Sequence, residues 1–212
     1  MKFTETRLKG AFIIDLEPHR DERGFFARGF CQKEMQAHGV EPLIAQANFS
    51  YNKARGTLRG MHFQDARAPE SKLVRCVRGS LLDTIIDLRP ESPTFLQHVS
   101  VELTGDNSRA LFVPPRFAHG FLTLEDETVA TYQVGEFYTP GVEGGLRYDD
   151  PALGLSWPVP VEVISEKDTQ WAGFSEQEAE IRARMRVEAD RGPVRRKRTS
   201  TPNGSEARHD HR

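Results

Sequence analysis

Between residues 8 and 157 the apolar and polar positions fall into many short runs of β type, broken by Gly, Pro, Asn or Asp. Runs of this length and period build an all-β sandwich or barrel. They predict strands over 11–16, 24–30, 43–51, 57–63, 72–78, 81–88, 98–103, 109–113, 119–124 and 128–134. Over 82–88 the alternation sets Leu82, Ile86 and Leu88 on one face and Asp83 and Asp87 on the other. A face carrying two carboxylates looks onto solvent or into a polar pocket. Helical signals are few. Residues 32–38 read as a short helix stopped by Gly39, and Ser175 with Glu178 three positions on reads as a capping box that opens a longer one. The expected organisation is a β domain over 1–174, a C-terminal helix over 175–190 and a disordered basic tail over 191–212, which has nothing to bury.

Charge sharpens this picture. The net charge is −2, but residues 181–212 carry ten Lys and Arg against four Asp and Glu, which leaves residues 1–180 at −8. An acidic body binds a phosphate backbone poorly, and the run Arg195-Arg196-Lys197-Arg198 is short enough to be a solvated tail, so no nucleic-acid partner is expected. No stretch of about 18 apolar residues and no apolar export segment occurs, so no membrane partner is expected either. Two lone thiols, Cys31 and Cys76, suit a reducing compartment, the cytoplasm, better than a disulfide framework.

Candidate chemistry concentrates in two places. Gly56-Thr57-Leu58-Arg59-Gly60-Met61-His62-Phe63-Gln64 reads as a strand with polar Arg59, His62 and Gln64, and Pro114-Pro115-Arg116-Phe117-Ala118-His119-Gly120-Phe121 brings a second His to the start of another strand. The two segments resemble the metal-binding motifs of the cupin jelly roll, Gly-x5-His-x-His and Pro-x-Gly-x2-His. Here Gln64 stands at the second His, and His62 and His119 give only two ligands where a divalent site usually needs three or more. No metal is expected. Taken singly, His62 reads as a structural histidine, Tyr132 as an ordinary strand aromatic, Lys72 as surface and Asp168 as a cap as readily as a catalyst.

Taken together they do not. Asp21-Glu22-Arg23-Gly24-Phe25-Phe26, Gln46-Ala47-Asn48-Phe49-Ser50, Leu58-Arg59-Gly60-Met61-His62-Phe63-Gln64, Lys72-Leu73-Val74, Ser92-Pro93-Thr94-Phe95, Phe117-Ala118-His119-Gly120-Phe121, Tyr132, Asp149-Asp150-Pro151 and Ser165-Glu166-Lys167-Asp168 resemble, in order and spacing, the dTDP-4-dehydrorhamnose 3,5-epimerase family over about residues 3–172. The resemblance implies a cupin-type double-stranded jelly-roll barrel, a homodimer without metal or other cofactor, acting in dTDP-rhamnose biosynthesis on a nucleotide-linked 4-keto-6-deoxyhexose. It implies that His62, oriented by Asp168, removes the C3 and C5 protons, that Tyr132 returns a proton on the other face with Tyr138 next in line, and that Lys72 sits at the C4 oxygen. Arg59 and His119 would line sugar and pyrophosphate, and Arg23, Phe26, Arg28, Gln46, Asn48, Tyr138, Glu143 and Lys167 would complete the substrate site.

The chemistry fits those residue types. A proton beside a ketone becomes removable when a fixed cation stabilises the enolate oxygen. Inversion needs an acceptor and a donor on opposite faces; an imidazole paired with a carboxylate suits the first role and a phenol, which keeps its proton near neutrality, the second. Departures from the family pattern bear on the substrate. Arg28 stands where a Glu is common near the nucleobase; a guanidinium only donates, which suits cytosine, so the pattern also admits a CDP carrier with inversion at C5. Arg116 replaces a Gly, and where that Gly has φ > 0 the Arg would strain the loop by roughly 1 kcal/mol or bend it, with its longer side chain in reach of phosphate. The same residues leave open a nucleotide-sugar 3,4-ketoisomerase, a non-catalytic nucleotide-sugar-binding jelly roll and a metal-dependent cupin oxygenase.

Overall fold

A computed structural model describes residues 1–41 and 43–187. The basic tail over 191–212, and the last residues of the helix expected over 175–190, lie outside the described residues. Six strands form one antiparallel sheet: β1 (Lys2–Glu5), β2 (Phe12–Asp15), β5 (Gln46–Asn52), β7 (Lys72–Arg78), β10 (Ala110–Val113) and β12 (Thr128–Val134), in the order β1-β2-β10-β7-β12-β5. Five form a second: β6 (Leu58–Gln64), β8 (Ser80–Asp87), β9 (His98–Thr104), β11 (Phe117–Thr123) and β13 (Glu143–Gly145), in the order β13-β6-β11-β8-β9. A separate hairpin pairs β3 (His19–Asp21) with β4 (Gly24–Phe26). The crossovers between faced sheets are those of a jelly roll.

Alternation along the strands divides the apolar residues among three clusters. Leu81 and Ile85 of β8, Val74 and Cys76 of β7, Leu111 and Val113 of β10, and Phe117 and Phe121 of β11 meet between the sheets. Ala110 and Phe112, which alternate with Leu111 and Val113, point outward and pack beneath α1 (Gln32–Ala37) with Met35 and Val40. Ile86 and Leu88 point outward from the other sheet onto α3 (Phe174–Arg184), against Phe174, Ile181 and Met185. The alternation read over 82–88 is thus real, and its carboxylate face is the inside: Asp83 and Asp87 are both fully buried. Asp87 accepts from Arg89, Ser92 and Thr94 and braces the turn after its strand. Each buried Leu or Ile contributes roughly 2 kcal/mol.

One helix expectation needs correction. The longer helix is capped at Gly173, with Ser175 inside its first turn and no side-chain cap bond from its own N-cap. Its first N–H is satisfied from a distance: Asp150 Oδ2 accepts from Phe174 N at 2.6 Å while Oδ1 accepts from Ala152 N at 2.9 Å. One carboxylate thereby closes a turn and starts a helix, and the Ser-x-x-Glu spacing is coincidental. The short helix ends as expected, with Gly39 at φ +71°. Strand 24–30 is cut to Gly24–Phe26, and β1, β3 and β13 carried too few alternating residues to be read.

Arg116 does occupy a left-handed conformation, φ +66°. Its guanidinium bonds Met185 O at the C-terminus of α3 at 2.9 Å and Glu91 at 2.7 Å, so it ties the loop to the helix and does not enter the site.

Backbone approaches backbone closely between β6 and β11. A Cβ on Gly60, which has φ +122°, would stand 2.5 Å from Gly120 Cα, and one on Gly120 would stand 2.7 Å from Arg59 O. Gly60→Ala combines backbone strain with a clash against main chain. It is expected to lower unfolding free energy by on the order of 3 kcal/mol in denaturant titration, with m unchanged.

Candidate active site

A cavity of about 730 Å³ opens between the two sheets. Residues paired across antiparallel strands share a face. Val134 pairs with Gln46 on one side and Lys72 on the other, and Tyr132 with Asn48 and Val74. Gln46, Asn48, Lys72 and Tyr132 therefore project from one face of the six-stranded sheet, and all four line the cavity. On the opposing sheet His62 pairs with His119 and Arg59 with Phe121, with a register shift between the two pairs. That shift lets Arg59 and His62, three positions apart, line the same cavity. His62 and Tyr132 thus stand on opposite walls of one chamber.

Asp168 comes from α2 (Glu166–Thr169), whose N-cap is Ser165, so the cap role weighed for Asp168 belongs to its neighbour. Asp168 Oδ1 lies 2.6 Å from His62 Nε2. Burial pushes the Asp168 carboxyl up, but the hydrogen bond and charge of His62, with help from Ser165 and the Gly60 N–H, hold it below the usual range. An ionised carboxylate only accepts, so His62 carries its proton on Nε2 and presents a lone pair on Nδ1. The His62 side chain is 46% exposed, open to a substrate.

Trp171 stands edge-on to the His62 ring, centroids 6.5 Å apart at 69°, and was not read from the sequence as a site residue. Its trace there is the pair Gly144-Gly145: a Cβ on Gly145 would come 2.1 Å from the indole, and one on Gly144 2.3 Å from the Phe63 ring. Lys167 lies 5.7 Å over the same indole and 3.1 Å from Glu143 Oε1. Hydrogen bonding to Tyr138 and then to Lys167 holds the Glu143 carboxyl down, and in turn raises the Tyr138 phenol. Arg59 Nε donates to Asn52 Oδ1 at 2.7 Å.

Lys72 lies in the cavity wall rather than on the surface, its side chain 15% exposed. Burial pushes its ammonium down to about 8, partly opposed by the Asp83 carboxylate, and Nζ pairs with Glu70. His119 is buried beside it in the cavity wall, Nε2 2.6 Å from Asp83 Oδ1. Glu70 and Asp83 are further site residues; the alternation over 82–88 marked Asp83, and nothing marked Glu70. Gln64 donates to Ala68 O and Phe137 O and accepts from Thr139 N at 2.9 Å, which anchors the loop bearing Tyr138.

Arg23, Phe26 and Arg28 do not line this cavity. Arg23 pairs with Asp21 in the hairpin turn, Phe26 is 75% exposed, and Arg28 bonds Glu34 at 3.1 Å. Arg28 is held to α1 by that pair, away from the residues that line the cavity.

The sequence profile of the dTDP-4-dehydrorhamnose 3,5-epimerases matches residues 5–176. A dTDP-4-dehydrorhamnose 3,5-epimerase of Methanothermobacter thermautotrophicus is 42% identical over 178 residues, 82% of this chain and 95% of that one. The crystal structure of the Legionella pneumophila dTDP-6-deoxy-D-glucose-3,5-epimerase in complex with dTDP-4-keto-L-rhamnose superposes with a TM-score of 0.80 at 34% identity, covering 89% of this chain and 99% of that one. A 3'-monoepimerase from Streptomyces bikiniensis in complex with dTDP-quinovose gives 0.77 at 29%, covering 84% and 90%. With the jelly roll, the paired His62 and Asp168, and Tyr132 and Lys72 facing them, the chain belongs to the dTDP-4-dehydrorhamnose 3,5-epimerase family.

Proposed function

We propose that the protein converts dTDP-4-dehydro-6-deoxyglucose to dTDP-4-dehydrorhamnose by inverting C3 and C5. The observation that carries this reading is that His62 and Tyr132 line one cavity from opposing sheets, with Lys72 on the Tyr132 wall. His62 Nδ1 takes the proton next to the ketone, the electron pair moves onto the C4 oxygen, and the Lys72 ammonium stabilises it. Tyr132 then delivers a proton to the opposite face of the same carbon. Each inversion consumes one proton and releases one, and the steps balance without any redox equivalent. Arg59 and Lys167 supply positive charge and donors for the pyrophosphate, and Gln46, Asn48, His119, Glu143 and Tyr138 supply the polar wall for nucleotide and sugar.

The protein acts as a homodimer in this reading. Phe25 and Phe26 are 52% and 75% exposed on the β3–β4 hairpin beside Arg23, and such residues serve a nucleotide site if the hairpin reaches a partner's cavity. No described helix is long and apolar enough to cross a membrane. Its two free thiols suit a reducing compartment, the cytoplasm.

Incubation in deuterated water with dTDP- and CDP-linked 4-keto-6-deoxyglucose, each ring proton followed by NMR, tests carrier and centres together. Deuterium is expected at C3 and C5 with the carbonyl fixed at C4; movement of the carbonyl would make the enzyme a 3,4-ketoisomerase, and turnover of the CDP sugar alone would shift the carrier. His62→Ala is expected to abolish exchange at both carbons. Tyr132→Phe is expected to retain some exchange while net inversion stops, because removal and return lie on different residues; retained inversion reassigns the acid to Tyr138.

Lys72 loses its proton above about pH 8, so kcat is expected to fall as pH rises through that value. Lys72→Met is expected to lower kcat on the order of 10²–10³-fold and to lack that limb. Light scattering is expected to give twice the 24.0 kDa chain mass, and a monomer that turns over would remove the partner from the site.

A further inference from the structure

Asp168 holds the base at one atom, and a second contact from the same segment meets its ring. Gly145 stands opposite His62 in the ladder of β13 and β6. Residues so paired share a face, so a side chain at position 145 would be the imidazole's cross-strand neighbour. Glycine leaves that place empty, and the indole of Trp171 takes it: a Cβ on Gly145 would lie 2.1 Å from Cε2 of the ring and 2.4 Å from its Nε1. The rings of Trp171 and His62 stand 6.5 Å apart at 69°, within the range of edge-to-face aromatic contact.

The indole is held from two sides. Lys167 Nζ lies 5.7 Å over it. From α3, Gln177 Nε2 donates to Gly145 O at 3.2 Å and to Ala172 O at 2.9 Å, which ties β13 to the residue after Trp171. The arrangement works against stability in one respect: Nε1 is buried, and no acceptor among the described residues reaches it. A buried indole N–H ordinarily finds a partner, and an orphaned one points to a use of the ring other than stability.

We propose that Trp171 is a positioning residue for the base: with Asp168 on Nε2, the indole in the gap left by Gly145 fixes the plane of the His62 imidazole and so the direction of the Nδ1 lone pair. The inference rests on the epimerase reading for its consequence in turnover, while the contact between the rings does not. A single hydrogen bond locates Nε2 but leaves the ring room to tilt about it, and removal of a proton from carbon needs the lone pair aimed along one C–H bond. A rigid aromatic wall removes that tilt before substrate arrives.

Trp171→Ala is expected to lower kcat about tenfold or more and to leave KM within about threefold. Deuterium entry at C3 and C5 is expected to slow together, because one base serves both carbons. Trp171→Phe, which keeps an aromatic ring, is expected to recover most of the loss. Gly145→Ala drives a methyl group into the indole and is expected to reproduce the kinetics of Trp171→Ala with the tryptophan still present. A tryptophan that only fills space between β13 and α3 would lower the melting temperature and leave kcat and exchange as they are; unchanged kcat and exchange overturn the proposal.

The contact is also read without turnover. A protonated imidazole quenches the emission of an indole it touches, and this chain has two tryptophans, Trp157 and Trp171. In Trp157→Phe protein the emission of Trp171 is expected to fall as the pH is lowered and His62 takes up its proton, and to lose that step when His62→Gln is added. The other charged groups on this wall are Asp168 and Lys167 from α2, Glu143 from β13, Arg59 from β6 and His119 from β11, with Asp83 of β8 bonded to His119. Their titration remains after His62→Gln, so it does not imitate the lost step. Absence of the step, or a step that survives His62→Gln, overturns the proposal, and this holds even where Trp171→Ala or Gly145→Ala fails to fold. Wild-type protein that turns over no nucleotide sugar would sink the epimerase reading, while the emission titration still judges the contact.

Discussion

Main chain pressed against main chain at Gly60 and Gly120 sets the geometry on which the site depends. With no side chain on either residue, β6 and β11 approach so closely that an added Cβ would lie 2.5 Å from backbone. The register shift there brings Arg59 and His62 to one wall, beside His119. An imidazole placed this way is located by backbone, whose position is over-determined by the sheet, and not by a loop. The same logic holds opposite, where the ladder of β5, β12 and β7 puts Asn48, Tyr132, Lys72 and Gln46 on a single face.

The interior so formed is apolar in its depth and charged where it meets the cavity. Buried ionic groups are favourable only when paired, because desolvation rivals the attraction gained. Here the pairing is by dyads: His62 with Asp168, His119 with Asp83, Lys72 with Glu70. Asp65, also fully buried, is answered by Arg67 and by Arg184 of α3, so the helix that covers the outer cluster is also fastened by charge to the residue that follows the strand bearing His62. Positions of the charges are thereby set before any substrate arrives, which is the condition for stabilising an enolate without reorganisation.

Much of this was legible in the chain. Short β-type runs cut off by turn residues located ten of the strands, with period-two alternation explicit over 82–88, and order and spacing of motifs located His62, Lys72, His119, Tyr132 and Asp168. What escaped has physical reasons. Strands of three or four residues, such as Glu143–Gly145, are too short to show a period. The start of α3 was misplaced because its cap, Asp150, lies 24 residues away in sequence. Trp171 and Glu70 carry no local signature of contact with His62 or Lys72, and Arg23, Phe26 and Arg28 sit in or just after a hairpin that does not line the cavity of its own chain.

Gln64 holds the place that a second histidine takes in the metal-binding motif of cupins, and its carboxamide makes three bonds to the backbone of residues 68, 137 and 139. An imidazole has two nitrogens and cannot reproduce that triple attachment. Reinstating a ligand at this position would therefore unfasten the segment that carries Tyr138, so ion capture and sugar enclosure compete for one side chain, and a barrel of this design passes from one trade to the other only by rebuilding the loop.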